Sequence, residues 1–338
     1  MAANGNDSGS CTQAAPCKTF SRAYAVASAG NVVQVAAGSY PIQYVPEGTK
    51  AVTFRGVSGN KIFQLDNSAS NVTFDGLDVD AQGTQTGNAA VFENHDGDNV
   101  TFKNSRIGNV TDRQTAMVSG TNVTFDNVTF HDAMFRTQGV HMECMYAIGT
   151  PGLTVKNSTF TNCAIMDLFF AYGEWWTPKP PAYGNVTLEN NVFGHTTNGS
   201  DGSWNYYALY VGQTGDNVLR NWTVRYNTFE QSASVTTSHD TAVNSRWVGN
   251  LGNWDCVSGM SYSRNVGQKC GSTDKEVNPA ESTRTTPAPF GWVNPQAGDF
   301  HLKADSVAVD AGDPADKPAT DRDGKARTGT PEAGAYER

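Results

Sequence analysis

The sequence predicts an all-β protein in which short strands stack as the coils of a solenoid. Composition is the first observation behind this prediction: the 338 residues include 34 Gly, with many Asn, Thr and Val and few Leu, Lys or Glu. Such a composition favours short strands and turns over helices. Repetition is the second observation, because one nine-residue phrase recurs six times at intervals of 23 to 36 residues. Repeats of this period are typical of solenoids.

The repeated phrase contains a strand, an Asn turn and a second strand. In its first copy Val72 and Phe74 alternate with polar residues, and these positions stay apolar in later copies. The sixth position is Asn in four of the six copies. Asn tolerates left-handed backbone angles, and its amide can hydrogen-bond to an equivalent Asn in the coils above and below. The copies are NVTFDGLDV (71–79), NVTFKNSRI (99–107), NVTFDNVTF (122–130), GLTVKNSTF (152–160), NVTLENNVF (185–193) and NWTVRYNTF (221–229).

Each coil can bury its apolar side only by stacking on the next coil. Leucine-rich and ankyrin repeats would need helical segments, and a propeller would need units of roughly 40 to 45 residues with four strands. The remaining architecture is a parallel β-helix. A further strand follows the phrases and predicts a second parallel sheet along the solenoid. Its segments are KIFQLDN, AAVFENH, TAMVSGT, VHMECMYAIG, IMDLFFAYG, YYALYVGQ and ASVTTSH.

Bulk charge and hydropathy exclude several classes of partner. The net charge of −9 disfavours nucleic acid as a ligand. No run approaches eighteen apolar residues, so we expect no membrane-spanning segment. We expect a monomer.

Six cysteines favour an oxidising compartment. Cys11 and Cys17 lie close together in a polar loop, and Cys256 and Cys270 flank another, without the CxxC or His clusters of a zinc site. We therefore expect two local disulfides and a secreted protein, extracellular or periplasmic. The other two cysteines, Cys144 and Cys163, lie in apolar strands. Buried free thiols are the simpler interpretation for them, and a bridge between neighbouring coils is the alternative.

These features together resemble the right-handed parallel β-helix proteins of the pectate-lyase-like superfamily, particularly the secreted bacterial ones. The segment CTQAAPCKTFSRAYAVASAGNVVQVAAGSY (11–40) is similar to their N-terminal entry. The resemblance implies a Cys loop and a capping helix (1–30, with the helix over roughly 18–28), then β-helix coils (31–275). It also implies a C-terminal tail on the solenoid (276–338), all within one domain.

Many members of this superfamily act on carbohydrates, as lyases, hydrolases or epimerases. The resemblance therefore implies a polysaccharide or oligosaccharide substrate. Pectate lyases of this fold bind Ca²⁺ through several Asp and use Arg or Lys as base, and polygalacturonase-like hydrolases carry NTD, DD, GHG and RIK motifs. None of these four motifs is present, and no Lys or Arg lies within the second-sheet strands after Lys61. Catalytic residues therefore have to be nominated from the residues themselves.

Alternation along GVHMECMYAIG (139–149) raises the question of what an imidazole and a carboxylate do on one side of an apolar strand. We expect Val140, Met142, Cys144 and Tyr146 to face inward, with His141, Glu143 and Met145 outward. In the next coil we expect Asp167 to face outward, and the inward residues are Met166, Leu168 and Phe170. In the coil after that we expect Tyr210 to face outward, and the inward residues are Tyr207, Leu209 and Val211. Coils stack about 4.8 Å apart, so Glu143, Asp167, His141 and Tyr210 are the candidate catalytic residues.

Long segments next to these strands supply candidate substrate-binding residues. Aromatic side chains stack on the apolar C–H faces of sugars, and loops on a rigid scaffold commonly carry function. The candidates are Arg136, Tyr172, Glu174, Trp175, Trp176, Trp204, Tyr206, His239 and Asp240.

Two reactions and one non-catalytic function fit this arrangement. In glycoside hydrolysis, which we favour, Asp167 would be the acid and Glu143 the base or nucleophile, tuned by His141. In β-elimination on a uronate polymer, His141 or Tyr210 would take the C5 proton while Arg136 or a metal neutralises the carboxylate. A glycan-binding protein without activity is the third alternative.

No cofactor or metal site is expected, although Ca²⁺ is possible. One short segment is rich in negative charge, with Asp75, Asp78 and Asp80 close together. Their spacing is not that of an EF-hand, so a solvated turn is the better interpretation.

Overall fold

The coils form a parallel β-helix capped by a short helix. The computed structural model describes residues 1–86, 90–134, 142–171, 184–194, 207–212, 218–230, 232–234, 241–277 and 290–338. Among these residues the strands of successive coils pair in parallel, in a 19-stranded and an eight-stranded sheet. The predicted right-handed β-helix with an N-terminal helical cap is confirmed.

The 19-stranded sheet has two flanks. Strands β10 (Thr101–Thr111) and β12 (Thr124–Met134) run through both of them. The first flank also contains β1 (Val32–Val35), β4 (Val52–Gly56), β7 (Val72–Asp75), β14 (Thr154–Lys156), β17 (Thr187–Glu189), β21 (Thr223–Arg225), β25 (Arg246–Val248) and β27 (Ser261–Ser263). The second flank also contains β2 (Gly38–Tyr40), β5 (Asn60–Ile62), β8 (Asp78–Thr84), β15 (Thr159–Cys163), β18 (Val192–Phe193), β22 (Thr228–Phe229), β26 (Leu251–Gly252), β28 (Val266–Gly267) and β29 (Lys275–Glu276).

The eight-stranded sheet closes the third side of the solenoid. Its strands follow one another in chain order, one per coil. They are β3 (Gln43–Gly48), β6 (Leu65–Ala69), β9 (Ala90–Asn94), β11 (Gln114–Val118), β13 (Glu143–Ile148), β16 (Met166–Ala171), β19 (Tyr207–Val211) and β23 (Ala233–Ser234). Two small sheets pair β20 (Val218–Arg220) with β24 (Thr241–Val243) and β30 (Trp292–Asn294) with β31 (Asp299–Leu302).

Asn residues form the corners of the coils, as predicted. At the sixth position of the phrase, Asn127 has φ 56° and its amide donates to Asn104 Oδ1 at 3.1 Å. At the first position, Asn99 has φ 54° and donates to Asn71 Oδ1 at 3.1 Å. Because Asn adopts left-handed angles more readily than most residues, it can turn the chain and bond to the next coil.

A second, buried amide ladder runs inside the C-terminal coils. Asn191, Asn227, Asn250 and Asn265 are fully buried, and each side chain donates to the next member of the ladder. The last amide, of Asn265, donates to Asp274 at 3.0 Å. Each of these four amides also donates to a main-chain carbonyl, so it satisfies backbone and side-chain groups together.

The core is a column of apolar side chains, repeated once per coil. Phe160 stacks on Phe130 and on Phe193, with ring centroids 4.7 and 4.9 Å apart, and Phe193 stacks on Phe229 at 4.9 Å. These separations match the spacing of adjacent strands, about 4.8 Å. The aromatic rings therefore hold the same register as the backbone.

The helix α1 (Phe20–Val26) covers the N-terminal end of this column. Thr19 caps it by accepting from the Arg22 amide, and Phe20 stacks on Phe54 with centroids 4.6 Å apart. The residues from Phe290 to Arg338 include a 3₁₀ turn, Pro295–Ala297, and pack on the second flank, where Phe300 and Trp292 share a cluster with Leu251. Among the described helices none is long and apolar enough to cross a membrane.

All six cysteines form disulfides. The expected pairs Cys11–Cys17 and Cys256–Cys270 are confirmed. The preferred interpretation of Cys144 and Cys163 as free thiols is wrong, because they form a bridge with Cα atoms 5.3 Å apart. Cys144 is the second residue of β13 and Cys163 ends β15 of the next coil, so the bridge joins adjacent coils.

The predicted orientation of β13 is also wrong in part. Met145 lies in the core, whereas Tyr146 is half-exposed on the outside. In the adjacent strands the expected inward positions Leu168 and Leu209 are confirmed, and so is the outward position of Tyr210. Both sides of β13 carry apolar residues, Met145 and Ala147 on one side and Cys144 and Ile148 on the other, so the alternation of polar and apolar residues could not show which side is buried.

Replacement of a buried ladder amide should destabilise the protein far more than replacement of a corner amide. We expect Asn227→Ala to lower the free energy of unfolding by about 3 kcal/mol, since it leaves several buried donors and acceptors without partners. The control is Asn221→Gly, which removes a surface hydrogen bond to Asn185 and keeps the positive φ, and should cost under ~1 kcal/mol. Urea unfolding followed by tryptophan fluorescence measures both; equal losses would contradict the assignment.

Removal of the bridge between coils should also be costly. The Cys144–Cys163 bridge closes a loop of 19 residues, for which chain entropy predicts about 3 kcal/mol. The double variant Cys144→Ala/Cys163→Ala should lose that amount in thermal unfolding. The double variant Cys11→Ala/Cys17→Ala, whose loop has a separation of 6 residues, should lose less, about 2 kcal/mol. The reverse order would contradict this account.

Candidate functional site on the eight-stranded sheet

The register of the eight-stranded sheet sets one side chain from each strand in a row along the outside of the solenoid. Met117 pairs with Tyr146, and Tyr146 pairs with Phe169, while their strand neighbours Met145 and Leu168 point into the core. The row faces away from the core because side chains alternate along a strand. This outer row is Tyr44, Asp66, Glu93, Met117, Tyr146, Phe169, Tyr210 and Ser234.

Three members of the outer row form an aromatic strip. The Tyr146 and Phe169 ring centroids are 5.1 Å apart, and those of Phe169 and Tyr210 are 5.5 Å apart. Tyr207 extends the strip beside Tyr210 at 5.1 Å. All four rings are half-buried, so each keeps part of its surface accessible. The strip follows the solenoid axis over two strand spacings, ~10 Å.

The other end of the outer row carries an acidic cluster, defined here as Asp66, Glu93 and His95. Asp66 and Glu93 are 8% and 3% exposed, and His95 Nε2 lies 3.1 Å from Glu93 Oε2. The hydrogen bond to Glu93 raises the pKa of His95 above its ordinary value, with further support from the charges of Glu93, Asp66 and Asp96. This end of the sheet can therefore bind a positive charge.

Glu143 and Asp167 lie on adjacent strands, as expected, but neither faces solvent. Both side chains are 0% exposed, which corrects the expectation that they project into the surrounding water. The register sets Glu143 opposite Met166, so Asp167 lies one residue further along the sheet, beside Cys144. Gln114 Nε2 donates to Glu143 Oε2 at 3.3 Å.

A small apolar cluster includes the residues that directly precede these carboxylates in the chain. Met142, Ala164, Ile165 and Met166 are buried together at the beginnings of the strands, and Phe169, Tyr207 and Tyr210 of the aromatic strip pack against them. Met166, expected inside the solenoid, thus belongs to a cluster separate from the main core. By strand alternation Asp167 lies on the side of Phe169, in the outer row, whereas Glu143 lies on the side of Met145, in the core, so the expectation that both carboxylates share the outer face does not agree with the register.

Several predicted site residues lie outside the described residues. These are His141, Arg136, Tyr172, Glu174, Trp175, Trp176, Trp204, Tyr206, His239 and Asp240. Their roles stay predictions.

Sequence reasoning missed the acidic cluster. Its signal was present, since the second-sheet segments KIFQLDN and AAVFENH each carry an acid after an apolar residue at the same position of consecutive coils. The register pairs Asp66 with Glu93 directly. Acids at matching positions of stacked strands repel each other, so the pair needs a positive group such as His95 nearby.

The described residues do not fit the Ca²⁺ sites that the superfamily resemblance implies. Ca²⁺ takes six to eight oxygen ligands, whereas the outer row offers two carboxylates at one end, next to an imidazole. The run around Asp75 is not a site either: Lys61 pairs with Asp78 at 2.6 Å and Asp80 at 3.3 Å, and Arg55 pairs with Asp75.

Comparison with solved structures identifies the fold. The crystal structure of pectate lyase Pel9A matches with a TM-score of 0.64 and 15% sequence identity, covering 100% of this chain and 95% of that chain. The chain has a pectate-lyase-like β-helix fold. A complex of XylC with xylose (TM-score 0.48, 8% identity, 78% and 74% of the two chains) and a rhamnogalacturonan lyase (0.42, 13%, 82% and 90%) are also similar. No family model and no curated protein sequence matches the chain.

Titration of Tyr146 should report the buried Glu143 charge. Burial, followed by the negative charge of Glu143, raises the pKa of Tyr146 to about 12. Glu143→Gln should lower this pKa, because the charge that opposes the phenolate is removed. Difference absorbance near 295 nm between each protein and its Tyr146→Phe counterpart isolates the titration.

The raised pKa of Tyr146 makes the stability of the folded protein depend on pH in the alkaline range. The neutral phenol is favoured in the folded state, so its contribution to stability is complete below the unfolded pKa of about 10 and is lost as pH rises toward 12. In Tyr146→Phe, the free energy of unfolding measured with urea should decrease less between pH 9 and pH 11 than in the unaltered protein. An unchanged Tyr146 titration in Glu143→Gln would contradict the proximity of the two groups.

Proposed function

We propose that the protein is a secreted enzyme that binds a polysaccharide along the aromatic strip and cleaves its glycosidic bonds. The observation that supports this is the alignment of Tyr146, Phe169 and Tyr210 with the solenoid axis, on strands of which β13 and β16 also carry Glu143 and Asp167. Three disulfides support secretion into an oxidising compartment.

Sugar rings are the ligands that suit such a strip. A pyranose has apolar C–H faces that stack on aromatic rings, and its hydroxyl groups need polar partners at the margins. Half-buried rings in fixed contact with one another offer that surface with little loss of side-chain entropy on binding. An extended chain of sugars can lie along the axis and touch one ring per coil.

The charge of the sheet favours a neutral or weakly charged glycan. None of the eight strands contains a Lys or Arg within the bounds given above. A uronate polymer brings one carboxylate per sugar and would need cations opposite it. With a protein net charge of −9, long-range attraction for a polyanion is absent as well.

Hydrolysis is the reaction that suits a carboxylate pair. Asp167 would protonate the leaving oxygen while Glu143 acts as base or nucleophile; the two lie on paired strands, one position out of direct register. His141 is proposed to tune Glu143 and Arg136 to bind substrate. Since both acids are fully buried and alternation places Glu143 on the side of Met145, the start of β13 and the side chains around both acids have to move before the pair can react.

The reaction is tested with a panel of neutral and uronic polysaccharides. Reducing-end release without absorbance at 235 nm is expected, and Glu143→Gln and Asp167→Asn should each reduce turnover at least ~100-fold with little change in thermal midpoint. Glu47→Gln, an exposed carboxylate on β3, is the matched control and should keep full activity.

Three outcomes would overturn parts of this proposal. Unsaturated products absorbing at 235 nm would identify a lyase, and binding without cleavage would identify a glycan-binding protein. Full activity in both Glu143→Gln and Asp167→Asn would exclude this carboxylate pair.

Binding along the aromatic strip is tested separately. Tyr210→Ala should weaken the affinity for a bound glycan roughly tenfold, because one stacking contact is lost. Tyr44→Ala is the matched control: Tyr44 is an exposed tyrosine of the same outer row, three strands from Met117 and outside the strip. Affinity electrophoresis in polysaccharide gels measures both variants. Equal affinities of Tyr210→Ala and the unaltered protein would place the glycan elsewhere.

A further inference from the structure

Asp66, Glu93 and His95 form a second site, two strands away from the aromatic strip. One ligand atom from each residue lies within 4.8 Å of the ligand atoms of the other two. The residues come from two adjacent coils: Asp66 is on β6, Glu93 is on β9, and His95 follows β9 immediately. Because strand pairing fixes the two coils relative to each other, these donors converge without a folding step of their own.

Hydrogen bonds from neighbouring residues orient both carboxylates. The Ala90 amide donates to Glu93 Oε1 at 2.9 Å, and Gln64 Nε2 donates to Asp66 Oδ1 at 3.0 Å. Such supporting hydrogen bonds orient metal ligands in proteins. The two carboxylates are nearly buried while His95 is at the surface, so the cluster has a closed floor and an open side.

Gln64 gives an independent indication of a ligand. Its side chain is fully buried against the cluster, and its Oε1 has no hydrogen-bond partner among the described residues. A buried amide oxygen without a partner is costly. Because Nε2 of the same amide donates to Asp66, this oxygen lies next to the cluster, where a bound ion would give it the partner it lacks.

The donor set selects the kind of ion. Imidazole suits Zn²⁺ and other transition metals, whereas Ca²⁺ and Mg²⁺ prefer oxygen donors. Two carboxylates and one imidazole, with a remaining position open to water, match the three-ligand sites of Zn²⁺. Two buried carboxylates on adjacent strands also repel each other, and the eight strands contain no Lys or Arg to offset them.

We propose that Asp66, Glu93 and His95 bind one Zn²⁺ ion that links two neighbouring coils at the N-terminal end of the outer row. The ion would offset the carboxylate charges and join β6 to the end of β9. This site is independent of glycan cleavage, because it uses neither Glu143 nor Asp167.

Zinc binding is measured on the full chain without a polyhistidine tag and without any sugar. After EDTA treatment and buffer exchange, ZnCl₂ titration by calorimetry should give one ion per chain, and Zn²⁺ should raise the thermal midpoint. Co²⁺ substitution should give a visible absorption band typical of a four- or five-coordinate site. Ca²⁺ should not compete.

Matched variants decide whether the named residues are the ligands. Glu93→Gln and His95→Gln should each weaken Zn²⁺ binding at least ~100-fold, since a ligand is lost. The control is His301→Gln: His301 also lies between two carboxylates, of Asp299 and Asp323, but at the surface of the C-terminal tail. It should keep the affinity of the unaltered chain.

Either of two results would overturn the proposal. If the unaltered chain binds no Zn²⁺ at one equivalent, the cluster is only an ion pair of His95 with Glu93. If His95→Gln binds Zn²⁺ or Ca²⁺ as the unaltered chain does, the ligands are other residues. Neither result bears on whether the protein cleaves glycans, which is measured with EDTA-treated protein and the polysaccharide panel.

Discussion

The whole molecule depends on the register between one coil and the next. A single coil has too little apolar surface to fold alone, so its stability comes from contact with its neighbours. Three devices hold the same register here: strand pairing, the column of rings around Phe160 and Phe193, and the amide ladder from Asn191 to Asn265. If one coil shifted by one residue, all three sets of interactions would be lost, and the side chains of the outer row on the eight-stranded sheet would no longer lie on one face.

Most of the fold could be predicted from the sequence because the signals repeat. Asn104 and Asn127 mark corners by their position in the phrase, and their positive φ angles agree with that role. The ladder through Asn227 and Asn250 was less visible, because only the structure shows that these side chains point inward. The Cys144–Cys163 bridge could not be assigned either, since pairing between coils depends on a distance in space and not on spacing in the chain.

The candidate site was harder to predict than the fold. The sequence placed Glu143 and Asp167 on adjacent strands correctly, but it could not reveal that both side chains are fully buried or that Met142 and Met166 form a cluster apart from the main core. The alternation of polar and apolar residues shows which face of a strand is buried only when the other face is polar. Both faces of β13 carry apolar residues. Asp66 and Glu93 were overlooked for a different reason: each is unremarkable within its own strand, and they become a pair only through the register.

The buried amide ladder has a consequence for how such a protein can change in length. Asn227 accepts from Asn191 through Oδ1 on one side and donates to Asn250 through Nδ2 on the other, so each rung presents one accepting and one donating end. A gene duplication or deletion that spans one whole rung would leave no amide unmatched. Variants of this chain can thus grow or shrink by complete turns, and each added turn would lengthen the surface along which a polymer can be held.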